Sequence, residues 1–260
     1  MDLGLSKRKV LISGGSKGIG FAIASLLISE GCEVILAARS RAGLDEAQLK
    51  LRSEWDADVQ TIAVDIADKA QRDSLVAAAS GVDILINNAG AIPRGSLEAT
   101  NDSLWRSQWD LKVFGYINLT RSYLSQMRER GKGVILNIIG IAGELVDSNY
   151  VAGSTGNAAL IAFTRAVGGT SIYDGVRVLG INPGPVGTER LIRLQKGMAL
   201  EKYGDESRWS EFSANLPYRR PATPIEIAHA AAFLISDLSS YTSGTVINID
   251  GGLSGRRSYI

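Results

Sequence analysis

A glycine-rich turn near the start of the chain has the spacing of a phosphate-binding loop. Residues 13–20 read Ser-Gly-Gly-Ser-Lys-Gly-Ile-Gly, after the apolar run Val10–Ser13 and before an apolar-periodic helix. Glycines at such a turn let the backbone approach a pyrophosphate, and the helix N-terminus adds N–H groups and a positive dipole end. A plain surface turn also collects glycine, but this one joins a strand to a helix. The turn predicts a dinucleotide site.

The spacing Gly14-x-x-x-Gly18-x-Gly20 resembles that of the short-chain dehydrogenase/reductase family. Four further motifs extend the resemblance over nearly the whole chain: Asn87-Asn88-Ala89-Gly90, Asp65 after the third strand, Pro183-Gly184 followed by Thr188, and Asp250-Gly251-Gly252. The resemblance implies an oxidoreductase with a nicotinamide cofactor, its adenine near Asp65 and its carboxamide near Thr188. The cofactor-binding residues that we expect are Gly14, Ser16, Lys17, Gly18, Ile19, Gly20, Arg39, Asp65, Ile66, Asn88, Ala89, Gly90, Pro183, Gly184, Val186 and Thr188.

The residues at the end of the second strand predict which nicotinamide cofactor binds. An NAD site of this fold uses an acidic residue there to accept bonds from the ribose 2′-hydroxyl. This chain has Ala38 followed by Arg39, with Lys17 in the glycine loop. A guanidinium and an ammonium suit a 2′-phosphate, which a carboxylate would repel. Unless both are plain surface residues, the pattern favours NADP(H).

The positions that carry chemistry in this family hold unusual residues here. The resemblance implies a serine at the end of the fifth strand, a Tyr-x-x-x-Lys pair at the start of the next helix, and an asparagine in the long fourth helix. The tyrosine acts as a general acid, and the lysine lowers its pKa. Gly140 stands at the serine position, and Lys112, three residues before Gly115, stands at the asparagine position.

Two registers are possible for the tyrosine and lysine. One anchors on Tyr150 and places Ser154 at the lysine position. The other anchors on the downstream Ala159-Leu160 and places Gly153 at tyrosine and Asn157 at lysine. We favour the second register because it needs no gap between the serine and tyrosine positions. The pair is broken in both.

In the favoured register, lysine and asparagine have exchanged places. The resemblance implies that these two side chains face each other behind the nicotinamide, so the exchange keeps one ammonium and one amide there. Gly140 and Gly153 leave a roomy pocket into which Tyr150 can swing a phenol. The candidate catalytic residues are therefore Lys112, Tyr150 and Asn157. In the alternative interpretation, Lys112 and Asn157 are solvated helix residues, and Tyr150 only packs against the start of its helix.

The elements that must position these residues alternate between strands and helices. Strands that are apolar on both faces call for a parallel sheet covered by helices on each side. We predict an α/β fold, a doubly wound Rossmann-like sheet in one domain over residues 1–260. The predicted strands are Val10–Ser13, Glu33–Ala37, Thr61–Val64, Ile84–Asn87, Gly133–Ile139, Val176–Ile181 and Thr245–Ile249. The predicted helices are Gly18–Ile28, Leu44–Ser53, Lys69–Ala79, Leu104–Arg128, Gly156–Val167 and Ile225–Leu238.

One long segment, residues 187–221, breaks the alternation and predicts a substrate lid. Its apolar side chains include Trp209, Phe212, Leu216 and Tyr218, which suit a hydrophobic substrate. His229, the single histidine, falls in a late helix away from the strand ends, so we interpret it as structural.

Bulk properties exclude several classes of function. The formal net charge of +1 gives no reason to expect nucleic acid or an anionic membrane surface as partner. The single cysteine, Cys32, fits a reducing compartment, and no apolar run reaches the ~20 residues of a membrane helix. We expect a cytoplasmic protein without a metal site.

Three functions remain open. The first is an NADP(H)-dependent oxidoreductase that acts on a carbonyl or alcohol through a rearranged proton donor. The second is a module that binds NADP(H) or a ligand without redox chemistry, and the third is a non-redox reaction such as elimination. An apolar stripe, Trp105, Trp109, Val113 and Ile117, adds the expectation of a homo-oligomer, a tetramer or a dimer. Packing inside the monomer would explain the same stripe.

Overall fold

A computed structural model describes residues 2–90 and 92–256 of the chain. Seven parallel strands form one sheet in the order β3-β2-β1-β4-β5-β6-β7. The strands are β1 (Lys9–Ser13), β2 (Glu33–Ala38), β3 (Gln60–Ala63), β4 (Ile84–Asn87), β5 (Gly133–Ile138), β6 (Val176–Pro183) and β7 (Val246–Ile249). The predicted doubly wound parallel sheet is confirmed, and every predicted strand is present within two residues of its expected bounds.

Helices cover both faces of the sheet. They are α1 (Gly18–Ser29), α2 (Arg41–Trp55), α3 (Lys69–Ala78), α4 (Asp102–Trp109), α5 (Gly115–Arg130), α6 (Val151–Ser171), α7 (Glu189–Tyr203) and α8 (Pro224–Ile235). One apolar cluster packs α1, α2 and α8 against one face. Two others pack α3, α5 and α6 against the opposite face. The strand order reverses between β1 and β4, which opens a crevice at the carboxyl ends of these strands.

The structure differs from the predicted helices in three places. A single π-helical turn, Asp110–Phe114, interrupts the predicted long helix and separates α4 from α5. Helix α6 begins at Val151, five residues before the predicted start, and the ring of its N-cap residue Tyr150 packs on Gly153 in the first turn. The segment predicted as a lid contains α7, for which no helix was predicted. Thr188 caps that helix by accepting a hydrogen bond from the Leu191 backbone N–H at 3.4 Å.

Most of the apolar stripe predicted to form an oligomer interface packs within this chain. Val113 is buried against α6, and the Trp109 indole donates a hydrogen bond to the Ala152 carbonyl at 3.0 Å. Trp105 is only partly buried, and the neighbouring Phe114 is exposed. Over the described residues, no helix is both long and apolar enough to cross a bilayer.

Candidate functional site

The crevice between β1 and β4 opens into a cleft of about 420 Å³ at the carboxyl edge of the sheet. Most of the predicted cofactor residues line it: Gly14, Ser16, Lys17, Gly18, Ile19, Arg39, Ile66, Asn88, Ala89, Gly90 and Thr188. Other predicted residues lie outside its lining: Gly20, Asp65, Pro183, Gly184 and Val186. Sequence reasoning did not assign six further lining residues: Ala37, Ser40, Val64, Leu111, Glu189 and Arg190. Ala37 and Val64 could have been found from their place at or next to the ends of β2 and β3. Ser40 and Glu189 could have been found from their place at or next to a helix N-cap.

The glycine loop is held against the end of β4 by Asn88. The Asn88 side-chain amide donates to the Gly14 carbonyl at 2.9 Å, and its backbone N–H donates to the Ser13 hydroxyl at 3.0 Å. Gly14 has a φ of +69°, and a Cβ built on it would lie 2.8 Å from the Ala89 Cα. A Cβ on Gly20 would overlap the Gly14 carbonyl oxygen. Glycine is therefore required at both ends of this loop.

The first turn of α1 points N–H groups into the cleft. Lys17 is the N-cap residue, and its side chain makes no capping hydrogen bond. The first backbone donors of a helix need partners from outside the helix. Because the cap provides none, these donors and the dipole end of α1 are available to an anion.

Lys112 lies behind the wall of the cleft that Gly90 forms. A Cβ built on Gly90 would come within 2.9 Å of the Lys112 Cδ, so the lysine stem packs directly on that glycine. The π-helical turn directs Lys112 inward, where its Nζ donates to the Ile139 carbonyl at 2.6 Å. Its side chain is 8% exposed. Burial, and secondarily the charge of Arg190, lowers the pKa of Lys112 to about 7.

Asn157 reaches the same end of β5 from α6. It is 2% exposed, and its Nδ2 lies 3.1 Å from the position of a Cβ on Gly140. Its Oδ1 is buried without a hydrogen-bond partner among the described residues. Lys112 and Asn157 therefore both reach the consecutive residues 139 and 140 at the end of β5. Neither is the solvated helix residue of the alternative.

Gly140 has a backbone conformation that suits glycine alone. Its φ of +135° and ψ of 140° lie in a region that residues with a side chain rarely adopt. The Gly140 N–H donates to the Asn182 Oδ1 at 3.4 Å, while Lys112 holds the preceding carbonyl. Side chains thus hold both ends of the Ile139–Gly140 peptide.

Tyr150 fills the space of the side chain that Gly153 lacks. Tyr150 is the N-cap of α6, and a Cβ built on Gly153 would overlap the Tyr150 ring at Cζ. The pocket expected above this glycine is therefore occupied by an aromatic ring. Since the hydroxyl is one bond beyond Cζ, it lies beside the helix backbone. A tyrosine at position 153 would carry its hydroxyl a full side-chain length away.

The lid differs from the expected arrangement. Phe212 packs on Tyr203 of α7, with ring centroids 5.9 Å apart. Tyr218 is 84% exposed, and with Leu216 it borders a separate cavity of about 130 Å³ next to Gly251. The part of the lid that reaches the cofactor cleft is the start of α7, where Thr188 packs against Gly18.

Comparison with known proteins agrees with this geometry. A family model described as enoyl-(acyl carrier protein) reductase matches residues 14–254. The chain is 32% identical over 254 residues to a 2-keto-3-deoxy-L-fuconate dehydrogenase of Xanthomonas campestris pv. campestris, with 96% of this chain and 81% of that protein covered.

The chain belongs to the short-chain dehydrogenase/reductase family. It is also 30% identical over 258 residues to a 3-oxoacyl-(acyl-carrier-protein) reductase of Chlamydia muridarum, covering 96% of this chain and 98% of that protein. Its fold is similar to that of L-sorbose reductase from Gluconobacter frateurii, solved with NADPH and L-sorbose. The TM-score is 0.90 at 31% identity, over 99% of this chain and 100% of the other. The resemblance inferred from the sequence is confirmed.

The contact between Tyr150 and Gly153 makes a stability prediction. We expect Gly153→Ala to lower the free energy of unfolding by about 1–2 kcal/mol, because the new methyl group must displace the Tyr150 ring. In a Tyr150→Ala background, the same change should raise it by about 0.5–1 kcal/mol, since alanine is the better helix former. Urea unfolding of the four proteins measures both values. Equal effects of Gly153→Ala in the two backgrounds would contradict the contact.

The pKa of Lys112 makes a second prediction, on stability against pH. Between pH 7 and 10.5 the unfolded chain binds a proton at this lysine that the folded chain has released, so the free energy of unfolding rises with pH. We expect Lys112→Met to remove a slope of up to about 1.4 kcal/mol per pH unit in this window. Urea unfolding from pH 7 to 10 checks it. The control Lys132→Met changes a largely exposed lysine and should keep the wild-type slope. A Lys112→Met protein that also keeps this slope would contradict the lowered pKa of Lys112.

Proposed function

We propose that this protein is an NADP(H)-dependent oxidoreductase that reduces a carbonyl group, or oxidises the corresponding alcohol, at a non-standard catalytic site. The observation that carries the proposal is the cleft itself, where a glycine loop, an uncapped helix start and the basic residues Lys17, Arg39 and Arg190 come together. The relatives named above act, by their names, as reductases or dehydrogenases on carbonyl compounds, and one structure holds NADPH.

The residues that line the cleft fit NADP(H). The α1 N-terminus and the loop through Gly14 suit the pyrophosphate, because no side chain caps the first turn of α1 and its N–H groups can bind an anion. Lys17 and Arg39 both line the cleft at the end of β2, next to the uncharged Ala38. Their charges suit the 2′-phosphate. The cofactor, when bound, supplies or accepts the hydride.

Three residues of the chain are proposed to handle the proton. A lysine with a pKa near 7 holds a proton at neutral pH and can release it, and Lys112 lies directly behind the cleft wall. The unpartnered Oδ1 of Asn157 gives an acceptor for a relay toward it. Tyr150 is the phenol that covers the first turn of α6, where the family's tyrosine stands.

A second function, an NADP(H)- or ligand-binding module without redox activity, is favoured by one observation. The positions aligned with the family's serine and tyrosine, Gly140 and Gly153, offer no hydroxyl to the carbonyl of a substrate, and the Tyr150 phenol lies beside the helix backbone.

Three further assignments remain predictions: a single domain over residues 1–260, a substrate lid over residues 187–221, and a cytoplasmic location.

Cofactor preference is the third prediction. We expect NADPH to bind at least about tenfold more tightly than NADH, since losing a charge-assisted phosphate contact costs roughly 1.5–3 kcal/mol. Arg39→Ala should bring the two affinities close together, as measured by fluorescence titration. Arg41→Ala is the matched control, because the Arg41 guanidinium is held by Thr61 and its residue does not line the cleft. Equal affinities in the wild type would contradict the preference.

Turnover is the fourth prediction and tests the function directly. We expect NADPH consumption with at least one ketone or aldehyde in a broad panel, and its loss in Lys112→Met without loss of the fold. The double change Lys112→Asn with Asn157→Lys should recover cofactor binding better than either change alone, because neighbouring sites that share a role are not additive. NADPH binding without consumption across the panel would favour the binding module. Wild-type turnover by a Lys112→Met protein would contradict the proposed role of this lysine in proton transfer.

The fifth prediction is a homo-oligomer, a tetramer or a dimer. Its support is a groove of about 490 Å³ beside α4 and the π-helical turn, lined by Trp105, Trp109 and Phe114 with Asp102, Arg106 and Asp110. Exposed aromatic surface of this kind favours association. Light scattering at micromolar concentration checks the mass, and a monomer would exclude it.

A further inference from the structure

A guanidinium without a carboxylate partner overhangs the cofactor cleft. Arg190 is the second residue of α7 and lines the cleft. One of its terminal nitrogens donates to the Ile92 carbonyl at 2.6 Å, which leaves its other donors unused by this bond. Within residues 2–90 and 92–256, no carboxylate oxygen lies within 4.0 Å of its nitrogens.

The surroundings of Arg190 are positively charged. The one charge that acts appreciably on the buried Lys112 is Arg190, and the effect is to lower the lysine pKa, so the two cations are near neighbours. Acidic groups do not neutralise Arg190 through an ion pair. Glu189 also lines the cleft but forms no ion pair with Arg190 within 4.0 Å, and Asp147 is paired with Arg94 at 2.7 Å. A guanidinium that forms no ion pair, next to a second basic group, creates a field that attracts an anion.

We expect the phosphates of the bound cofactor to lie away from the Arg190 guanidinium and not to pair with it. The pyrophosphate is expected at the glycine loop and the N-terminus of α1, and the 2′-phosphate at Lys17 and Arg39. Arg190 is fixed to the opposite wall, on the segment that follows β4. A guanidinium presents several N–H groups in a planar fork, which matches a carboxylate better than a single point charge does.

We propose that Arg190 binds the carboxylate of the substrate, and that the substrates are oxo acids. The proposal rests on the proposed function and deepens it. In the reaction an oxo acid takes a hydride from NADPH at its carbonyl carbon and a proton at its carbonyl oxygen, giving a hydroxy acid and NADP⁺. The bond to Ile92 gives the guanidinium a fixed position, while Lys112 lies behind Gly90 on the same side of the cleft.

The experiment compares matched substrates on matched variants. NADPH oxidation is followed with a series of 2-oxo and 3-oxo carboxylates and with the methyl ester of each. We expect the wild type to prefer the carboxylates, and Arg190→Gln to lower kcat/KM for them by at least about tenfold, with little change for the esters. Arg190→Lys should recover part of the loss. Arg193→Gln, one turn further along α7, is the matched control and should behave as wild type.

A binding measurement separates this proposal from the proposed function. Unreactive carboxylates such as oxamate are titrated into the NADPH complex while cofactor fluorescence or heat is recorded. A response in the wild type that Arg190→Gln loses supports the proposal even if no substrate is turned over. Turnover of esters and acids at equal kcat/KM would overturn the proposal and keep the oxidoreductase. So would an Arg190→Gln protein whose main defect is weaker NADPH binding, since that places the guanidinium on the cofactor.

Discussion

The hydrogen bond from the Lys112 ammonium to the Ile139 carbonyl organises this end of the molecule. It occurs at the carboxyl end of β5, in a place where a charged group is costly unless it is bonded. The π-helical turn that precedes α5 brings the lysine there, and turns of this kind are frequent at functional sites. Its bond fixes one end of the Ile139–Gly140 peptide, and Asn182 fixes the other.

The backbone conformation of Gly140 disfavours any side chain at this position. A side chain at a φ of +135° is strained by roughly 1–3 kcal/mol, and its Cβ would also crowd the Asn157 amide. The glycine, the inward lysine and the buried amide therefore depend on one another. Beneath them, Asn87, Asn137 and Thr164 form a buried chain of hydrogen bonds across β4, β5 and α6. This chain fixes the relative heights of the elements that carry the site.

The sequence was sufficient to predict the features that depend on local sequence patterns. The glycine loop, the alternation of strands and helices, and most of the cleft lining follow from periodicity and from motifs at strand ends. Helix α7 was missed because its apolar residues lie among charged ones and it packs mainly against the short segment at 206–213. The π-helical turn was missed because a one-residue insertion leaves the helical period nearly intact. Arg190 was missed because the significance of a lone arginine depends on which carbonyl and which cleft it meets in space.

The proton donor illustrates the same limit in physical terms. Sequence reasoning proposed Tyr150 as a proton donor, yet the position of a ring does not fix the position of its hydroxyl. The Tyr150 ring packs against Gly153 in the first turn of α6. The ammonium of Lys112, in contrast, is desolvated, and its charged and neutral forms are close in free energy at neutral pH. A group in that state exchanges a proton with little cost. This argument favours Lys112 over Tyr150 as the acid–base group that we propose for the site.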